Sequence, residues 1–196
     1  MFWEKTVEYA FLWRAAQAEI VDFASPMSGK QERGAGDAIF GKDAKLLLIE
    51  FKASIDDLKT ERDKFDDYPT AKELLGNSDD HHFFVYGRKD ESRLALGLQN
   101  FFSEKTINFT DIHKYSAGQI FFKKYLLQFL ALRKRDERGA GKIQLSDYTS
   151  IIGFNLDNKI VQACTLSEYA QHIFPSIMNE FEITENSDSP GMKPRM

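Results

Sequence analysis

A single cysteine, Cys164, stands in the whole chain, so neither an internal disulfide nor a zinc site built on several thiolates can form. A reducing compartment suits such a chain. No stretch approaches the ~18 uninterrupted apolar residues that a spanning helix requires, and the first residues do not run from a basic to an apolar leader segment. The expectation is a soluble, cytoplasmic protein with no membrane partner. An excess of positive charge is also missing: 26 Lys and Arg face 30 Asp and Glu, for a net charge of -4, which argues against a dedicated nucleic-acid coat protein. Repeats are lacking too. ERGAG occurs at Glu32–Gly36 and again at Glu137–Gly141, but the residues that follow differ.

What is present is core-forming material. Hydrophobic residues make up 42% and aromatics 13% of 196 residues, with 17 Phe, enough for one compact domain with an elaborated end. The charge is unevenly spread. Between Lys114 and Lys142 eight cations (Lys114, Lys123, Lys124, Arg133, Lys134, Arg135, Arg138 and Lys142) meet only Asp136 and Glu137, a local +6 that leaves -10 for the rest of the chain.

Periodicity supplies the elements. Apolar residues at Trp3, Val7, Phe11, Ala15 and Ala18 predict a helix over Phe2–Ala18, with Glu8 at the edge of the apolar stripe and Glu4 one turn before it. Glu19–Phe23 reads as a short strand before a Ser/Pro/Gly turn. Asp37–Phe40 and Lys45–Lys52, separated by Gly41–Ala44, read as an antiparallel hairpin whose second strand is central, because Leu46–Ile49 is uninterrupted and apolar. Ser54 caps a charged helix running to Asp67, Pro69 opens a second one ending at Gly76, and His81–Tyr86 is a strand stopped by Gly87. Leu94–Leu98 extends the sheet. A second long helix is expected over Ala117–Arg135 with Ile120, Phe121, Leu127, Phe129 and Leu130 as its apolar body. A hairpin follows at Ile151–Phe154 and Lys159–Ala163, then a short helix capped by Ser167, then a polar tail from Glu185. The division expected is a core over 1–88, a mainly helical elaboration over 89–184 and a disordered tail over 185–196.

The hairpin carries the chemistry. A register pairing Phe40 with Leu47 also sets Asp37 opposite Glu50, and Lys52 shares the face of Glu50 because strand side chains alternate. Two opposed carboxylates repel unless a cation lies between them, and an incomplete set of hard oxygen ligands suits Mg²⁺ or Mn²⁺. A lysine beside the metal orients or deprotonates a water and offsets charge developing on a phosphate. Metal-assisted phosphodiester hydrolysis needs that combination.

Asp37, then Glu50-Phe51-Lys52 at the end of an apolar strand, behind a helix carrying Glu8, resembles the PD-(D/E)XK nuclease superfamily. The resemblance implies a restriction-endonuclease-like mixed α/β core in the order helix, strand, strand, strand, helix, strand, covering under half the chain. It implies Asp37, Glu50 and Lys52 as catalytic residues and Asp37, Glu50 and Glu8 as metal ligands, with Glu4 competing for the role of Glu8. Phe51 would contribute only its backbone carbonyl. Gly36 replaces the motif's proline, and no Gln-x-x-x-Tyr motif follows the last strand, unlike RecB-like members.

The expected activity is therefore a Mg²⁺-dependent endo- or exodeoxyribonuclease in a restriction, repair or phage-defence setting, with DNA ahead of RNA as substrate. Lys123, Lys124, Arg133, Lys134 and Arg135 are the candidate phosphate contacts. A homodimer or a partner protein accords with one site cutting one strand. The alternative is a catalytically silent nuclease-like binding or assembly subunit. His81, His82 and Cys164 read as core residues, and Gly139-Ala140-Gly141-Lys142 lacks the first glycine and the Ser/Thr of a phosphate loop.

Overall fold

The computed structural model describes residues 2–20, 39, 43–91, 93–133, 149–155 and 157–175. Its elements are α1 (Glu4–Gln17), β1 (Lys45–Lys52), a 3₁₀ turn at Ile55–Leu58 running into α2 (Lys59–Arg62), and α3 (Tyr68–Leu75). Then come β2 (His82–Asp90), β3 (Arg93–Asn100), a 3₁₀ segment at Phe109–Tyr115, β4 (Ala117–Gly118), α4 (Gln119–Ala131), β5 (Thr149–Phe154), β6 (Ile160–Thr165) and α5 (Leu166–Ile173). The fold is mixed α/β.

One six-stranded mixed sheet organises it, in the order β3-β2-β1-β5-β6, with β4 beside the start of β1. β1 and β2 are parallel, joined by the α2–α3 crossover, and the other pairs are antiparallel. Even-numbered residues of β1 (Leu46, Leu48) face a core built with α3, α4 and α5. Odd-numbered residues (Leu47, Ile49, Phe51) face one built with α1 and the 3₁₀ segment. Burial on both faces is why β1 reads as an unbroken apolar run.

The hairpin expected around Gly41–Ala44 is overturned. Residues 48–50 of β1 already have a neighbour on each edge, β5 on one side and β2 on the other; Glu50 aligns with Phe84 and with Thr149. Asp37, Ala38 and Phe40 themselves lie outside the described residues, and Ile39 is helical and fully buried. The antiparallel partner is instead the β5–β6 hairpin, so the core is not confined to residues 1–88, and position 88 falls inside β2. Within 1–88 the described order is helix, strand, helices, strand, and most of the two further strands expected, Glu19–Phe23 and Asp37–Phe40, lies outside the described residues.

Smaller corrections have local causes. Gly87 does not stop β2; it pairs with Leu96, and a Cβ there would lie 2.7 Å from the Ala53 carbonyl oxygen, so glycine permits the close backbone approach. The cap of α5 is Thr165, whose side chain and that of Glu168 satisfy each other's backbone N–H groups, rather than Ser167. Ser54 stands at the N-cap as expected, and Asp67, expected only to end the charged stretch, caps α3 by accepting from the Thr70 N–H. Glu19 turns at φ 55° rather than starting a strand, Ile20 is buried with its carbonyl accepting from the Ile160 N–H, and Val21–Phe23, like the tail, lie outside the described residues. α4 buries Phe122, Tyr125, Leu126, Phe129 and Leu130, leaving Ile120, Phe121 and Leu127 exposed. Among the described residues, no helix is long and apolar enough to cross a membrane.

His81 and His82 belong to this core. The His82 ring stacks on Phe101 at 4.2 Å, and its Nδ1 is 2.8 Å from the Tyr125 hydroxyl. Burial pushes His81 down to about 4 and His82 well below its usual value. The unfolded chain protonates both near 6.5 while the folded state keeps them neutral, so stability is complete above that pH and falls as pH drops below it. Denaturant titrations should show a loss that begins near pH 7 and steepens toward about 1.4 kcal/mol per pH unit for each histidine as pH approaches 5. The slope should halve in His82→Gln.

Candidate active site

The site lies at the C-terminal end of β1, beside the protein's parallel strand pair. In an open α/β sheet, helices leave the strands at such ends and a concave surface opens there. Glu50 and Lys52 point to the same side because they are two residues apart, but at positions where Leu46 and Leu48 begin an apolar row. Both are buried, Glu50 at 0% and Lys52 at 4% exposure. Burying two ionised groups is costly unless each finds a partner, so the surroundings must supply opposite charge.

They do. Lys52 Nζ donates to Glu61 Oε1 at 2.6 Å and stands 3.3 Å from Glu50 Oε1 and 3.7 Å from Glu4 Oε1. Glu61, fully buried, also accepts from Lys64 and, at 3.4 Å, from Arg133. The Thr149 hydroxyl of β5 donates to Glu50 Oε2, while Glu50 Oε1 accepts no hydrogen bond. Three carboxylates (Glu4, Glu50, Glu61) thus meet three cations (Lys52, Lys64, Arg133).

The two central carboxylates are poised oppositely. Burial, reinforced by the charge of Glu61, raises the Glu50 pKa; Lys52 and the Thr149 hydrogen bond only partly offset this. Glu61 is also penalised by burial, but Lys52 and Lys64 outweigh it and hold its carboxyl below the usual value. Burial works to lower Lys52, yet Glu50 and Glu61 prevail and raise it, so the amine is a cation.

Of the residues expected from the sequence, Glu50 and Lys52 are brought together. Asp37 lies outside the described residues, as do Lys134 and Arg135. Glu8 is not in the cluster: it pairs with Lys5 at 2.7 Å, and Glu4, one turn earlier, is the helix acid facing Lys52. Arg133 is no surface contact; it is 3% exposed, with its guanidinium 5.2 Å from the Phe129 ring centroid and its charge directed at Glu61. Lys123 is half-buried and Lys124 exposed on α4, ten and nine residues before Arg133, or about 15 Å of helix. Cys164 is half-buried in β6, and burial raises its thiol to about 12, so it is no nucleophile.

Glu61, Lys64 and Thr149 are the members the sequence did not disclose. A signal existed for Glu61: Leu58, Glu61 and Phe65 follow apolar-stripe spacing, and all three are buried, so an acid occupies a core-facing position. Thr149 had no local signal. Among the described residues, no group of three His, Cys, Asp or Glu side chains is arranged to hold a metal ion. A separate cleft of about 400 Å³, lined by Asn77, Asp80, His81, Lys114, Tyr115 and Phe121 among others, contains none of these candidates. Comparison of the chain with family models, curated proteins and solved structures finds no match.

The opposite poise has a measurable consequence. Glu50→Gln replaces a carboxyl that burial already disfavours as an anion, and thermal unfolding at neutral pH should show stability unchanged or higher. Its advantage over wild type should shrink as pH falls through the raised Glu50 pKa. Glu61→Gln removes the buried carboxylate that Lys52 and Arg133 share and should cost about 3–5 kcal/mol.

Proposed function

We propose that this chain is a metal-dependent nuclease that hydrolyses DNA phosphodiester bonds, with a restriction-endonuclease-like core centred on β1. The observation that carries this reading is the juxtaposition of Glu50 and Lys52. They lie two residues apart on one strand face, with head groups 3.3 Å apart and one buried Glu50 oxygen accepting no hydrogen bond. A buried carboxylate oxygen in that condition fits a divalent cation as ligand. The PD-(D/E)XK resemblance assigns the acid and the lysine to these same two positions.

In this reading Glu50 holds Mg²⁺ or Mn²⁺, with Asp37 as the second carboxylate, reached by a route other than the hairpin, and Glu4 rather than Glu8 as the helix acid. Such an ion, when bound, supplies Lewis-acid activation of the phosphate and its attacking water. Lys52 acts as a cation: its N–H groups orient the water and offset the negative charge that grows on the phosphate oxygens. Thr149 fixes the Glu50 carboxylate by its hydrogen bond, and Glu61 anchors Lys52.

A second reading is favoured by one observation. Among the described residues the cluster has as many cations as acids, as a structural ion network would, and this suits a silent binding or assembly subunit. Divalent-dependent cleavage of linear and circular duplex DNA, single-stranded DNA and RNA separates the two. The nuclease reading expects wild-type cleavage of DNA that falls by about 10²–10³-fold or more in Glu50→Gln, a variant whose fold is intact. Undiminished cleavage by Glu50→Gln removes the mechanism, and a wild type silent on every substrate favours the binding subunit.

A further inference from the structure

Both tryptophans of the chain lie in water. Trp3 is 79% and Trp13 68% exposed, and Tyr9, between them in sequence, is 61% exposed. Aromatic side chains of this size normally dominate a core or an interface. α1 buries Val7, Phe11 and Ala15 and packs Ala10 and Leu12 beside them, which leaves Tyr9 and Trp13, and Trp3 just before the helix, as aromatics that the fold does not bury.

The charges of the helix are sorted in the same direction. Its two cations, Lys5 and Arg14, are exposed, Arg14 with its guanidinium 5.2 Å from the centroid of the Phe109 ring, whereas its two acids, Glu4 and Glu8, are half-buried. Lys5 Nζ, which also pairs with Glu8, lies 5.6 Å from the centroid of the Tyr9 ring. An aromatic face edged by cations, on a chain of net charge -4, is complementary to a polyanion that also offers flat π-faces.

We propose that the outer face of α1 binds an unpaired segment of DNA, with bases stacked on Trp3, Tyr9 and Trp13 and phosphates running past Lys5 and Arg14. This deepens the nuclease reading and rests on it, naming DNA with a single-stranded segment as the substrate. Continuity supports the assignment: Trp3 directly precedes Glu4, whose carboxylate is 3.7 Å from Lys52 Nζ, so the platform begins at the edge of the candidate site. Tyr9 and Trp13, four residues apart, are about 6 Å apart along the helix axis and on adjacent turns, within reach of one strand. A paired duplex keeps its base faces stacked inside and offers these rings little. A second copy docked about a two-fold axis would bring the same cations together with no exposed helix acid to meet them.

Because both tryptophans sit on the platform, intrinsic tryptophan emission reads it directly. The full chain is titrated with oligothymidylate of about 16 nucleotides in EDTA, so that nothing is cut, and in parallel with a duplex of equal length and with oligouridylate. The expected result is saturable quenching by the single-stranded DNA that weakens with salt, with affinity about tenfold lower in Trp3→Ala and in Trp13→Ala. Both variants should keep the wild-type melting temperature. The proposal is overturned if single-stranded DNA gives no quenching, if the duplex quenches as tightly, or if only the RNA binds. Emission that is already blue-shifted in the free protein and varies with protein concentration also overturns it, in favour of a second copy. Saturable quenching without cleavage in Mg²⁺ would uphold the platform and sink the nuclease; Glu50-dependent cleavage with unquenched emission would do the reverse.

Discussion

Everything at the end of β1 depends on one ion pair, between Lys52 and Glu61 at 2.6 Å. An ammonium ion on a fully packed central strand is tolerated only because a carboxylate of the crossover meets it. That carboxylate in turn requires Lys64 and Arg133, which ties the C-terminal end of α4 to the crossover after β1. Glu50 benefits least. It shares Lys52 with a better-placed competitor, relies on a hydroxyl from β5, and keeps one oxygen without a hydrogen bond. A protein selected for stability alone would place an apolar residue there.

What could be read from the sequence was local. α1, the central character of β1, the capped crossover, β2, β3 and the β5–β6 hairpin follow from apolar spacing, β-branched and aromatic runs, and cap residues that act within a few positions of themselves. The partner of β1 could not be read that way. The segment next to it in sequence looked like its hairpin mate, yet the edge is filled by β5, whose Thr149 lies 99 residues beyond Glu50. Neither strand carries a mark naming the other. The same limit applied to the site: Glu50 and Lys52 were legible as a motif, Glu4 against Glu8 was a matter of one helical turn, and Arg133 read as solvent-facing until Glu61 was seen beneath it.

α4 shows why composition can mislead about orientation. Gln119–Ala131 is apolar nearly all round, so periodicity gives little contrast with which to choose a face. A polar group settles it. Tyr125 turns inward to meet His82, and Phe122, Leu126 and Phe129 follow at helical spacing. Neutral histidines in an aromatic core need such partners, so the phenol orients the helix as much as the hydrocarbon does.

The long separation between β1 and β5 also bears on biosynthesis. At about 5–20 residues per second, the ribosome needs on the order of 5–20 s after Glu50 is made before Thr149 emerges. During that interval β1 presents an open edge to whatever strand is nearest, and Glu50 lacks its hydroxyl partner. The acid–lysine cluster is therefore completed late in translation, when the C-terminal hairpin docks, and a chain halted early would lack it and be prone to pair with the wrong edge.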